Sequence, residues 1–202
     1  MTFGWDSNQL GEIETFLENR FGTERNKALK LARLKTPRRT TEELEIRKIE
    51  SGNEWEAVLQ LQLLISGESR NPAYIEFKQR KFHSYREASE KGFGDWWGAF
   101  RGGRLVGDFG LYFNTNRSLA RFQNVETHPD FRKQGICSNM LYTAIHCSLE
   151  ERADTTFIIC AEKENSSYRV YRSLGFEDCG SQFGVSLPCP YEKRFEQKEA
   201  PA

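Results

Sequence analysis

One segment, Leu119 to Ala161, limits the fold more than any other part of the chain. Leu119 to Thr127 reads as a strand. From Ile136 onward the residues Ile136, Met140, Leu141, Ala144, Ile145, Ser148 and Leu149 recur at the spacing of one helix face. Thr155 to Ala161 is β-branched and apolar and has the length of a buried strand. Strand, loop, helix and strand in that order make a βαβ crossover, the connection that parallel neighbours require. The chain is therefore expected to build a sheet with at least one parallel pair and a helix against its face.

The flanking segments fill in a mixed α/β (α+β) architecture. Leu44, Ile46 and Ile49 suggest a strand, and apolar residues at helical spacing follow from Glu54 to Ile65. Pro72 suits the first turn of a second helix reaching Lys91. Trp96–Phe100 and Leu105–Phe113 flank Arg101-Gly102-Gly103-Arg104, where two glycines supply the positive φ of a tight hairpin. A helix over Ser166–Leu174 is closed by Gly175 as a left-handed cap, Phe176 returns the chain to the core, and Gln182–Leu187 reads as a last strand. Residues 1–40 differ in character: Ile13, Phe16, Leu17 and Phe21 follow a helical pattern, and Lys35-Thr36-Pro37-Arg38-Arg39 is a basic stretch. Thr2–Trp5 and Ala28–Leu34 could each form a strand, with no place in the sheet that the pattern reveals. We read 1–40 as an appendage and linker, 41–190 as the main domain and 191–202 as a charged, mobile tail.

Composition removes several function classes. Lys plus Arg and Asp plus Glu both number 29 in 202 residues, so no net field draws the protein to nucleic acid. The longest apolar run, Leu59 to Ile65, is interrupted by Gln60 and Gln62 and is too short to cross a bilayer. No secretory signal is visible at Met1–Asp6, and a cytoplasmic protein without membrane contact is expected. The five cysteines form no CxxC pair and match no zinc spacing with the three histidines, so free thiols and no metal are expected.

The loop before the helix at Ile136 carries the chemistry. A helix N-terminus presents unpaired N–H groups and a positive dipole end, Gly135 lets a ligand approach the backbone, and Arg132 and Lys133 add charge suited to phosphates. Alone, this arrangement is also compatible with a helix start flanked by solvated cations. Gln123, Asn124 and Glu126, polar and close to the end of the preceding strand, mark the same region as a site.

Val125-Glu126-Thr127-His128-Pro129-Asp130-Phe131-Arg132-Lys133-Gln134-Gly135 resembles the cofactor-binding segment of the GCN5-related N-acetyltransferases, the GNAT superfamily, with its pattern Q/R-x-x-G-x-G/A. Arg132 and Gly135 match, and Cys137 replaces the final glycine or alanine. Asn165-Ser166-Ser167-Tyr168-Arg169-Val170-Tyr171-Arg172-Ser173-Leu174-Gly175-Phe176 resembles the family helix ending in Y-x-x-L-G-F. The resemblance covers Leu44 to Leu187. It implies a mixed, mostly antiparallel twisted sheet with helices on both faces, in which the two strands of the crossover splay apart.

The resemblance further implies acetyl-CoA as acyl donor, with no metal. Val125 and Thr127 would offer backbone groups to the pantetheine arm. Arg132, Lys133, Gln134, Gly135, Ile136, Cys137 and Ser138 would hold the pyrophosphate, and Asn165 would touch the cofactor. Tyr171 would be the general acid that protonates the departing thiolate, against the reading of a packed core aromatic. Glu126 is the first candidate for the base that frees the amine, although strict strand alternation points its side chain opposite to Val125 and Thr127, and a structural carboxylate is the competing reading. His128 before a proline reads as turn-forming. The expected function is transfer of an acetyl group to a primary amine of an unidentified small-molecule acceptor. The alternative is a catalytically silent acyl-CoA sensor on the same fold. A homodimer is compatible with both.

Overall fold

The computed structural model describes residues 2–6, 24–38 and 43–186. Eight strands form one sheet: β1 (Thr2–Asp6), β2 (Glu24–Leu31), β3 (Glu45–Lys48), β4 (Gly94–Arg101), β5 (Arg104–Phe113), β6 (Leu119–Thr127), β7 (Thr156–Ala161) and β8 (Phe176–Ser186). Their spatial order is β1-β8-β2-β7-β6-β5-β4-β3. Only β6 and β7 run parallel; every other neighbouring pair is antiparallel. The crossover and the mixed, mostly antiparallel sheet are as the sequence implies.

Among the described residues four helices cover the sheet. α1 (Gly52–Ser66) and α2 (Pro72–Glu90) precede the hairpin, α3 (Ile136–Glu151) makes the crossover, and α4 (Ser166–Leu174) follows β7. α1 starts on a capping box: the Glu54 N–H donates to Ser51 Oγ at 3.3 Å, and the Ser51 N–H donates to Glu54 Oε2 at 3.0 Å. Those contacts hold the Glu54 carboxyl down at about 2. Strand alternation sends adjacent residues into different cores. Trp96 packs with Trp55, Val58 and Phe82 under α1 and α2, whereas Trp97 packs with Met140, Ile145 and Phe157 under α3 and α4.

The segment read as an appendage enters the sheet. β2 lies between β7 and β8, with Lys27 opposite Ala161 and Leu31 opposite Phe176, and Leu29 is buried completely. A boundary near residue 40 therefore does not divide the sheet. Past β2, the Lys35 N–H donates to the Leu174 carbonyl and the Ala32 N–H to that of Gly175. Gly175 has φ +99 and faces Arg33 so closely that a β-carbon would land on its carbonyl oxygen. The helical pattern at 13–21, residue Arg39 and the tail 191–202 lie outside the described residues.

Candidate active site

β6 and β7 pair only at their beginnings, through Leu119–Arg121 and Thr156–Ile158. β7 then stays with β2 as far as Ala161. β6 instead carries a bulge: Gln123 faces Gly110 and Glu126 faces Asp108, so Asn124 and Val125 together oppose Phe109. Asn124 takes φ +47, the left-handed region in which Asn is among the best-tolerated residues. The strands diverge into a cleft of about 710 Å³. Its walls include Val125, Glu126 and Thr127 from β6, Cys160 and Ala161 from β7, Tyr171 from α4 and Asn26 from β2. Glu126 lines this cleft together with Val125 and Thr127.

The mouth of the cleft is the start of α3. Gly135 is the N-cap with φ +78, no side chain caps the first turn, and Lys133 also adopts a positive φ of 63. A helix start with no side-chain acceptor leaves its first N–H groups for an anion. Arg132, Lys133, Gly135, Ile136, Cys137 and Ser138 all line the cleft. Gln134 turns away: Arg101 Nη1 donates to its Oε1 at 2.6 Å, and its Nε2 donates to the Asp130 carbonyl. The Thr127 carbonyl accepts from Arg132 Nε at 3.1 Å. His128 is buried where Arg104 Nη2 donates to its Nε2 at 2.8 Å, at the start of the short 3-10 turn Pro129–Phe131.

At the inner end Tyr171 is 4% exposed. Burial, with Cys137 adding to it, raises its phenol well above the usual value and keeps it protonated. Burial also pushes the Cys137 thiol up to about 12. Glu126 is raised by burial, against the opposing effects of Arg132 and Lys78, which moves it towards the range of a useful base. Asn165 lines the cleft and also caps α4, its Oδ1 accepting from the Ser167 N–H at 3.1 Å. Among the described residues no cluster of three or more His, Cys, Asp or Glu could hold a metal ion.

Next to the cleft lies a buried polar group that the sequence reading did not single out. Asp108 has no exposed surface, and its Oδ1 accepts from Gln62 Nε2 at 2.9 Å and from Trp96 Nε1 at 3.0 Å. Its Oδ2 has no partner, and burial pushes the carboxyl up to about 8. Two signals could have found it. Gln62 interrupts the apolar run of α1, and Asp108 interrupts the apolar run of β5.

Comparison with known proteins follows the geometry. A family model described as the acetyltransferase (GNAT) family matches residues 55–176. A GNAT-family protein from Novosphingobium aromaticivorans superposes with TM-score 0.56 at 17% identity, over 81% of this chain and 63% of its own. A GCN5-related N-acetyltransferase from Sphaerobacter thermophilus gives TM-score 0.62 at 15% identity, over 91% of this chain and 57% of its own. This chain thus spans 63% and 57% of the lengths of those two. PaiA N-acetyltransferase from Thermoplasma acidophilum, solved in complex with coenzyme A, gives TM-score 0.54 at 18% identity, over 72% of this chain and 99% of its own. At these identities the superpositions establish the shared fold. No curated protein matches the sequence significantly.

Proposed function

Because this chain belongs to the GNAT acetyltransferase family, we propose that it transfers an acetyl group directly from acetyl-CoA to the primary amine of a small-molecule acceptor. The observation that carries the reading is the convergence of three features on one cleft: diverging parallel strands, an uncapped helix start and a buried, protonated phenol.

The cleft fits the donor. Its volume of about 710 Å³ takes an extended arm, and the gap between β6 and β7 leaves strand edges beyond Arg121 for such an arm to pair with. The N–H groups at the start of α3, with Arg132 and Lys133, suit a pyrophosphate. Bound acetyl-CoA supplies a thioester whose carbonyl carbon a neutral amine attacks. The chain does the rest. Glu126 takes the proton that the acceptor ammonium must lose, a backbone N–H near Val125 to Thr127 meets the charge developing on the carbonyl oxygen, and the Tyr171 hydroxyl protonates the departing sulfur. Holding both reactants in one cleft supplies much of the rate.

Turnover of acetyl-CoA over a panel of primary amines, with Tyr171→Phe as control, tests the reading. Tyr171-dependent release of CoA with at least one amine is expected. Tight acetyl-CoA binding with turnover on none would instead favour an acyl-CoA sensor.

A further inference from the structure

The bulge in β6 is held from outside the cleft by one side chain. Gln62, buried on α1, uses both atoms of its amide. Its Nε2 donates to Asp108 Oδ1 at 2.9 Å and to the Asn124 carbonyl at 3.4 Å. Its Oε1 accepts from Asn124 Nδ2 at 3.4 Å and from Lys78 Nζ at 3.4 Å. Asp108 and Glu126 are direct partners in the β5–β6 register immediately after the bulge, so their side chains leave the same face of the sheet. Trp96 Nε1 fixes the Asp108 carboxyl from β4. A glutamine in a helix thereby grips both the backbone and the side chain of the one β6 residue with positive φ.

We propose that Gln62 is a positioning residue: braced by the buried Asp108, it holds Asn124 in its left-handed conformation and so aims the bulge's backbone at the carbonyl of a bound thioester. The inference rests on the acyl-transfer reading above. Asn tolerates a positive φ without requiring it, so the conformation needs a holder. Gln62 itself touches no reacting atom. Its amide is fully engaged, and a buried amide with every bond made is well suited to fixing one backbone geometry.

The test reads the carbonyl itself and needs no acceptor. Acetyl-CoA labelled with ¹³C at the thioester carbonyl is bound to the full chain, and its infrared carbonyl band is compared with that of the free thioester. In the unmodified protein the band is expected to move to lower frequency, as a carbonyl accepting a hydrogen bond does. In Gln62→Met it returns to the free position while acetyl-CoA affinity, measured by titration calorimetry, stays unaltered. Glycine takes positive φ without a holder, so adding Asn124→Gly to Gln62→Met restores the shift. Asp108→Asn keeps an oxygen facing Gln62 and Trp96 and retains the shift. Where Gln62→Met does not fold, Gln62→Asn, which withdraws the amide by one methylene, is expected to lose the shift. A full shift in either Gln62 variant overturns the inference and leaves acyl transfer standing. An unmodified protein that does not bind acetyl-CoA refutes both, and the calorimetry distinguishes that case.

Discussion

Replacing Asp108 by asparagine should stabilise the protein at neutral pH and destabilise it in acid. Asp108 is fully buried, and its acid is pushed up to about 8. In the unfolded chain it returns to about 3.9. Between these values the folded state keeps a proton that the unfolded state has released, so stability falls as pH rises. The slope from this group is about 1.4 kcal/mol per pH unit, and the cost reaches about 4 kcal/mol by pH 7. Below about pH 4 both states are protonated and the cost vanishes; above about pH 8 both are ionised and it stays constant. Asparagine removes the titration and keeps an oxygen for Gln62 and Trp96. It also puts an NH2 where Oδ2 now finds no partner, a stranded donor that costs about 1–3 kcal/mol. The variant should therefore gain about 1–3 kcal/mol at pH 7 and lose a similar amount at pH 4. Urea unfolding followed by tryptophan fluorescence from pH 4 to 8 measures the difference. A difference that stays flat across that range refutes the reasoning, because it means Asp108 titrates alike in both states.

Tyr171→Phe should lower acetyl transfer by about 10²–10⁴-fold with CoA affinity unchanged, as removal of a positioned proton donor does; undiminished turnover would return Tyr171 to a packing role. Glu54→Ala should cost about 1 kcal/mol near neutral pH through loss of the capping box. Because Glu54 is held down at about 2, its contribution is present above the ordinary glutamate value and is lost as pH falls through about 2, so the gap between variant and parent should close in strong acid. Gly175→Ala forces a β-carbon onto the Arg33 carbonyl at a left-handed φ and should cost about 2 kcal/mol or more. Hydrogen exchange should quicken at Ala32 and Lys35, whose amides bond the α4 terminus. Unchanged protection there would show that the contact does not anchor the segment.

What could be read from the sequence was local. α4 runs over Ser166–Leu174, with Gly175 as its left-handed cap, because helical spacing and a C-terminal glycine lie within one short stretch. The Gly102–Gly103 turn and the crossover are local in the same sense. β2 was visible as an apolar segment but not as a sheet member, because its partners are Lys27 with Ala161 and Leu31 with Phe176, far along the chain. At the site, the loop residues were legible through their motif, whereas the direction of Gln134 was not, since Arg101 on another strand captures it. The Gln62–Asp108 pair was hidden for another reason. A single polar residue in an apolar run looks like an interruption until its partner, on another element, is known.

The placement of β2 has a consequence for the order in which the molecule can be assembled. β2 joins the β1–β8 pair to the rest of the sheet, yet its neighbours β7 and β8 lie far further along the chain. During synthesis the strand emerges early and has nothing to pair with until β7 and β8 follow. Its unpaired backbone edges must wait until then, and contacts this distant in sequence slow folding and lengthen exposure to aggregation. β2 and the distant β7 and β8 thus lock each other, and that seam of the sheet closes only once β8 has been made.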